Sequence, residues 1–392
     1  MDIQVLLDSQ ERILNGTSME PKRYLFDSID WEQQLIAITG QRGTGKTTLL
    51  IQRVKANRDS GKYLYISADS LYIYGFKLIE VALAHYNNGG EYLYIDEIHK
   101  YEKWSGEVKH IYDSIPKLKV VFTGSSILDI LKGYGDLSRR AVPYILHGLS
   151  FREYLNFELE LDLPVVDLET ISAGRFPLTI EQPLYHFNNY LKKGFYPFYQ
   201  EKSFEIKMIN VVNAIMEVDL VHYLDLKPST IMKLKKLLRI IAESVPFKPN
   251  ISKLAEKTNI SRNLLVEYLN YLERAGLISQ FASSAKGIQG LAKPEKVYLD
   301  NTNLNFTLVE PHKSDIGNVR ETFFMSQLRT LGKEISIPPK GDFLLGDTVY
   351  EVGGKNKKMA NYKNMERVIL AKDDIIVAYQ NQIPLYQFGF LY

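Results

Sequence analysis

Apolar residues fall in short unbroken runs through the first part of the chain and at helical spacing further on. Leu35–Thr39, Tyr63–Ser67 and Lys119–Thr123, with Glu91–Glu97 closing in two acids, have the continuous hydrophobicity of strands covered on both faces. Thr47–Val54 reads as a helix after the first run, and a further apolar strand follows Arg140. From Ser150 to about Thr230 the spacing is helical, with Tyr185, Phe187, Tyr190 and Leu191 in one stretch and Ile209, Val212, Ile215 and Met216 in another. Acidic Glu158–Pro164 interrupts it as an exposed loop.

Between Ile231 and Phe281 the pattern changes to three short amphipathic helices. The central pair is Ile251–Thr258 and Ser261–Gly276, joined by a tight turn at Asn259 and Ile260. Asn250 and Ser261 are placed as N-caps, Leu265, Tyr268 or Leu269, and Leu272 form the core stripe, and Gly276 stops the second helix. Leu277–Ser279 and Lys296–Leu299 then read as two strands. The last segment predicts a helix over Gly317–Phe324 and two strands, at Gly341–Leu345 and from Val349 onward.

Composition narrows the classes. With 392 residues and a formal charge of +2, the chain is long enough for several cores and is neither disordered nor a polyanion-coating protein. It has no cysteine, which excludes disulfides and thiolate zinc sites. Its start lacks the pattern of a secretory signal, and no apolar run approaches the ~20 residues that span a bilayer, so a soluble, cytoplasmic protein is expected. The 26 tyrosines are scattered and read as amphipathic packing residues.

Gly40, Gln41, Arg42, Gly43, Thr44, Gly45, Lys46, Thr47 and Thr48 complete a G-x-x-x-x-G-K-T phosphate loop between a strand and a helix. The glycines let backbone N–H groups turn toward triphosphate oxygens, and the helix start adds its dipole. Lys46 is placed to reach the β and γ phosphates, and the Thr47 hydroxyl is an expected Mg2+ ligand, so ATP and Mg2+ are the expected ligands. Asp96, at the end of an apolar strand, is the second expected Mg2+ ligand, and Glu97 can polarise the attacking water. Past Lys119–Thr123, Ser125 is the first choice as a γ-phosphate sensor with Thr123 behind it, or else Ser125 simply caps the helix Ile127–Leu131.

These residues resemble the AAA+-like P-loop ATPases of bacteria and archaea that carry a poorly characterised C-terminal region. The resemblance rests on the phosphate loop, Tyr94–His99, Thr123–Ser126, Arg140, Leu149–Leu155 and Gly194–Pro197. It implies that Arg140 acts as an arginine finger or sensor, in cis or in trans. The alternative is a surface arginine paired with Asp136. Arg139 stands where the family more usually has glycine. His99 either orients Glu97, interacts with a phosphate sensor, or is an ordinary satisfied loop residue.

The helices of 231–281 resemble a winged helix-turn-helix, which would present Ser261, Arg262 and Asn263 to a major groove. Lys286 and Lys293, with Lys233, Lys235, Lys236 and Arg239, would meet phosphates; the same surface could instead dock a protein. The last segment resembles the restriction-endonuclease-like fold, with Glu321, Asp342 and Glu351 as its acids. Gly353 stands where that motif needs lysine, and Lys355 is the only substitute foreseen, which argues for an inactive module.

The expected architecture is α/β, with a P-loop ATPase core over 1–149 and a helical lid over 150–230. A winged helix over 231–300 and an α/β restriction-endonuclease-like module over 301–392 follow. The expected function is an ATP-hydrolysing switch coupled to DNA. The alternatives are an ATP-binding assembly or regulatory protein, self-associating or docking a partner through the winged helix, and a metal-dependent nuclease. No membrane partner is expected.

Overall fold

The computed structural model describes residues 3–73, 75–124, 137–224, 226–244, 251–284, 294–309, 315–358 and 367–392. The chain divides into two compact units, Met1–His147 and Gly148–Tyr392.

In the first unit five parallel strands, β1 (Leu35–Thr39), β2 (Tyr63–Ser67), β3 (Tyr92–Asp96), β4 (Lys119–Gly124) and β5 (Val142–Ile145), lie in the order β2-β3-β4-β1-β5. Strict alternation along each strand divides the side chains between two faces. Ala37, Leu64, Ile66, Leu93, Ile95 and Phe122 pack on one side against the Leu78–Asn87 and Trp104–Ser114 helices. Ile36, Ile38, Tyr63, Tyr65, Tyr94 and Val121 pack on the other against Leu49, Leu50 and Val54 of the Lys46–Ala56 helix. Burial on both faces is what the unbroken apolar runs required. Tyr63 stacks on Tyr92 at 4.4 Å and on Tyr94 at 5.9 Å, which accounts for part of the tyrosine content as strand-face packing. Because every strand runs the same way, all five carboxyl ends lie along one edge of the sheet. The register pairs Thr39 with Gly124 and with Ile145, and Ile95 with Phe122.

The second unit is built around a cluster of aromatic rings. Ser150 caps the Phe151–Leu159 helix, accepting a hydrogen bond from the Glu153 amide at 3.0 Å, and donates its hydroxyl to the Tyr392 carbonyl at 2.8 Å. Phe151, fully buried, meets Phe187 at 5.3 Å, Tyr190 at 5.6 Å and Phe390 at 6.0 Å, and Phe187 meets Phe323 at 4.7 Å. The segment expected as a lid thus shares its core with the end of the chain. Leu149–Leu155 and Gly194–Tyr196, within the most distinctive stretches of the sequence, are buried here. A Cβ on Gly194 would come within 2.7 Å of the Tyr190 backbone.

The helices Pro228–Ala242, Ile251–Thr258 and Arg262–Arg274 are followed by an antiparallel pair, β6 (Ile278–Phe281) and β7 (Lys296–Leu299). Asn250 lies outside the described residues, as do Ile127–Leu131, Lys286 and Lys293. A final sheet has the order β12-β11-β10-β9-β8, formed by β8 (Ile335–Ser336), β9 (Phe343–Leu345), β10 (Thr348–Gly353), β11 (Arg367–Lys372) and β12 (Gln382–Pro384). Strands β8, β9 and β10 pair antiparallel, and β10, β11 and β12 pair parallel. The Ile316–Leu328 helix packs on this sheet through Phe324, which lies 5.3 Å from Tyr350 and 5.6 Å from Phe343. Tyr298 of β7 joins the same core at 5.5 Å from Phe343. Among the described residues, no helix is long and apolar enough to cross a membrane.

Removing the Phe151 ring would leave a cavity at the centre of the aromatic cluster. Phe151→Ala is expected to destabilise the second unit by ~3–5 kcal/mol. Urea denaturation followed by near-ultraviolet circular dichroism measures it, and a loss below ~1 kcal/mol, the level of an ordinary substitution, would remove Phe151 from that central role.

Candidate nucleotide site

The loop Gly40–Gly45 leaves β1 at the edge where all strands end. Gly43 and Gly45 have φ values of 85° and 93°, a region that only glycine enters without strain. Gly40 is needed for space, since a Cβ there would lie 2.3 Å from the Leu146 carbonyl oxygen. Lys46, 4 % exposed, donates from Nζ to the carbonyls of Gly40 and Gln41, both at 2.9 Å, so the ammonium closes the loop on itself. Thr44 donates its hydroxyl to the Gln41 carbonyl at 2.9 Å, and Thr47 and Thr48 are exposed. Arg42 is half-buried. The helix begins at Lys46, one residue before its expected start.

Asp96 is the hub of the site. Its carboxylate is 2 % exposed and accepts three hydroxyls: Thr47 at 2.7 Å, Tyr65 at 3.1 Å, and Thr123. Thr123 also accepts the Glu97 amide at 3.0 Å, so one hydroxyl joins both acids of the strand end. Glu97 has a left-handed backbone, φ 50°, which is strained for a residue with a side chain and turns the chain sharply after Asp96. Its carboxylate lies 3.3 Å from His99 Nε2, and His99 is buried. Ser125, the preferred sensor, lies outside the described residues; Thr123 occupies the strand end between the acids.

Two residues of this site went unnoticed in the sequence. Tyr65 sits at the middle of β2 on the face shared with the phosphate-loop helix, a parity that alternation alone could have revealed. Burial, with the charge of Asp96, pushes its phenol pKa upward, so it stays a donor. Arg23 is 4 % exposed and donates to the Thr44 carbonyl and, at 2.7 Å, to the His147 carbonyl. It lies outside any periodic element, so no pattern announced it.

Arg140 is not at this site in its own chain. The β1–β5 register places Ile36 beside Val142 and Thr39 beside Ile145, so Arg140 precedes the beginning of β5. That is the opposite end of the sheet from the loop, a separation on the order of 10 Å or more at ~3.3 Å per strand residue. Its guanidinium grips Asp113 in two hydrogen bonds, 3.1 and 3.2 Å, and lies over the Tyr112 ring. The reading in cis is therefore corrected; Asp136 itself lies outside the described residues.

Further along, Ser261, Arg262 and Asn263 are exposed at the start of the Arg262–Arg274 helix, where Ser261 caps the Leu264 amide. Lys235 is held by Glu217 and by Asn213, the latter at 2.8 Å, and Arg239 by Glu243 at 3.1 Å, so both are partly neutralised. Glu321 and Asp342 come together at Lys296, whereas among the described residues no group of three His, Asp or Glu side chains is placed to hold a metal ion. Lys296 Nζ lies 3.2 Å from Glu321 and 3.2 Å from Asp342, and the Tyr298 hydroxyl donates to Glu321 at 2.8 Å. Burial and the Asp342 charge push the Glu321 pKa upward. Lys355, the foreseen substitute, is exposed; Lys357 instead reaches Glu351 at 2.9 Å. The reason is Gly353: its missing Cβ leaves room for the Lys357 stem, which would lie 2.6 Å from such an atom. Contact with Glu351 raises the Lys357 pKa against the opposing effect of burial.

Residues 32–155 match the model of the AAA domain, and residues 184–310 match that of a domain of unknown function, DUF8612. No curated protein matches the chain. Among solved structures, a Walker-type ATPase of Pyrococcus abyssi is 15% identical, over 70% of this chain and 91% of that one, with a TM-score of 0.43. AMPPCP-bound DnaA from Aquifex aeolicus is 16% identical, over 69% of this chain and 87% of that one, with a TM-score of 0.26. The likeness rests on the family match and the loop geometry rather than on these superpositions: residues 32–155, most of them in the first unit, are similar to an AAA-type P-loop domain.

The far position of Arg140 gives a direct expectation. Arg140→Ala should leave nucleotide affinity in the isolated chain unchanged and cost at most ~1 kcal/mol of stability, the range of a partly exposed ion pair. A fluorescent nucleotide titration and urea denaturation read the two quantities. A tenfold fall in affinity would return the guanidinium to its own chain's site.

Proposed function

We propose that the first unit binds ATP with Mg2+ and hydrolyses it, and that the protein is an ATP-dependent switch acting on DNA through its second unit. The observation that supports this most is the continuous chain Thr47, Asp96, Thr123 and Glu97, which links the start of the phosphate-loop helix to a carboxylate able to serve as base.

The donor set fits a hard divalent cation: an exposed threonine hydroxyl beside a carboxylate that, among the described residues, has no counter-charge in contact. Thr47 and Asp96 would hold Mg2+, which when bound neutralises phosphate charge. The loop amides and the helix start bind the phosphate oxygens. Lys46 exchanges its two carbonyl partners for the β and γ phosphates, a stronger pairing because both sides are charged. Glu97 takes the proton of the attacking water, while Thr123 fixes its backbone and His99 fixes its side chain. A transition-state arginine must then come from elsewhere. Arg140 of a second copy fits that role, which makes self-association part of this reading.

For the second unit, the three helices followed by β6 and β7 are read as a winged helix. Exposed Ser261, Arg262 and Asn263 offer hydrogen-bond donors to a DNA groove. Exposed Leu264, 43% accessible on the same helix start, favours the second reading, a dock for a protein.

Lys46→Ala is expected to abolish nucleotide binding, whereas Glu97→Gln should bind ATP at near wild-type affinity and lose turnover by ~10²–10⁴-fold, the contribution of a positioned base. Phosphate release, measured with and without duplex DNA at several salt concentrations, tests both halves. A wild-type protein without turnover in every condition overturns hydrolysis. Turnover that ignores DNA, together with DNA affinity unaffected by Arg262→Ala, favours the protein dock.

A further inference from the structure

The restriction-endonuclease-like resemblance implies a divalent cation among Glu321, Asp342 and Glu351, and the residues present do not fit one. A divalent ion bound by carboxylates draws their oxygens to ~2.0–2.6 Å, so it has to occupy the space between them. Here Lys296 Nζ lies between two of the three acids, 3.2 Å from Glu321 and 3.2 Å from Asp342. Further contacts engage the same three acids. Glu321 Oε2 further accepts the Tyr298 hydroxyl at 2.8 Å, Asp342 Oδ2 accepts the Val352 amide at 2.9 Å, and Glu351 Oε1 faces Lys357 at 2.9 Å.

Lys296 is held there by its backbone. It is the first residue of β7, paired with Phe281 of β6, and the preceding residue, Glu295, donates its amide to the Phe281 carbonyl at 2.8 Å. Its side chain is 11% exposed, and those of Glu321 and Asp342 are 15% and 14% exposed. Carboxylates that deep in the protein need a counter-charge, and withdrawing the ammonium would leave two like charges facing each other.

We propose that the Lys296 ammonium permanently takes the place of a divalent cation in this centre, converting a metal-site arrangement into an ionic lock that fastens the β6–β7 hairpin to the last sheet. The centre then neither binds a divalent metal nor cleaves nucleic acid, and its stability does not depend on added metal. This inference is independent of the ATPase reading, because every group in it belongs to the second unit.

The test uses the full-length protein and Mn2+ as the probe, with binding followed by electron paramagnetic resonance and stability by thermal unfolding. Wild type is expected to show no Mn2+ site that Glu321→Gln removes, a comparison that leaves any Mn2+ held at the phosphate loop unchanged. Lys296→Met is expected to unfold at lower temperature and to gain Mn2+ affinity at least tenfold over wild type, with the gain lost in Lys296→Met/Glu321→Gln. Lys296→Arg, which keeps the charge, should remain blind to Mn2+. If Lys296→Met does not fold, the wild-type and Lys296→Arg measurements decide. A wild-type Mn2+ site abolished by Glu321→Gln overturns the proposal, as does a folded Lys296→Met with unchanged stability and no added Mn2+ affinity.

Discussion

A carboxylate almost out of reach of water must find its hydrogen bonds inside the protein, and Asp96 finds them in three hydroxyls drawn from three elements. Thr47 comes from the start of a helix, Tyr65 from β2 and Thr123 from β4. None of these donors is charged, so among the described residues the Asp96 charge is uncompensated by side chains, which suits the proposed cation with phosphate. The arrangement depends on the parallel register of the sheet: had β3 or β4 slipped by one residue, Thr123 would face the other side and Asp96 would lose a donor. Strand order, loop position and the αL turn at Glu97 all serve the same edge.

The second unit solves a different problem, burying a large aromatic surface assembled from distant parts of the sequence. Ser150 and Arg152 both donate to the Tyr392 carbonyl, at 2.8 Å each, so the segment following the first unit is tied to the end of the chain. Phe151 then fills the space among Phe187, Tyr190 and Phe390. This explains why Leu149–Leu155 is so distinctive a stretch without carrying chemistry: its residues cap a helix, nucleate a core and anchor the last residue. The same unit fastens its β6–β7 hairpin by charge, through Lys296, where the surrounding core is aromatic.

Most of the nucleotide site was legible in the sequence. The phosphate loop and the acids Asp96 and Glu97 are local patterns whose spacing encodes their geometry, because a strand, a loop and a helix in that order leave little freedom. Tyr65 and Arg23 were not found, since each acts across the fold on a residue far away in sequence. Arg140 shows the complementary error. A resemblance put it near the phosphates, but its level along the sheet is fixed by the pairing of β5 with β1, and it grips Asp113 at the far end. Lys357 rather than Lys355 meets Glu351 because the glycine turn sets how far the chain travels before a side chain can fold back.

The sequence by itself determined most of the elements, the two-faced burial of the first sheet and the position of the phosphate-loop motif between strand and helix, since periodicity and short motifs act over neighbouring residues. Tertiary structure alone decided which hydroxyls hold Asp96, which end of the sheet receives Arg140, and that the ammonium of Lys296 stands between Glu321 and Asp342. Those outcomes depend on strand register and on contacts between residues far apart in the chain, and a one-dimensional pattern carries no measure of either.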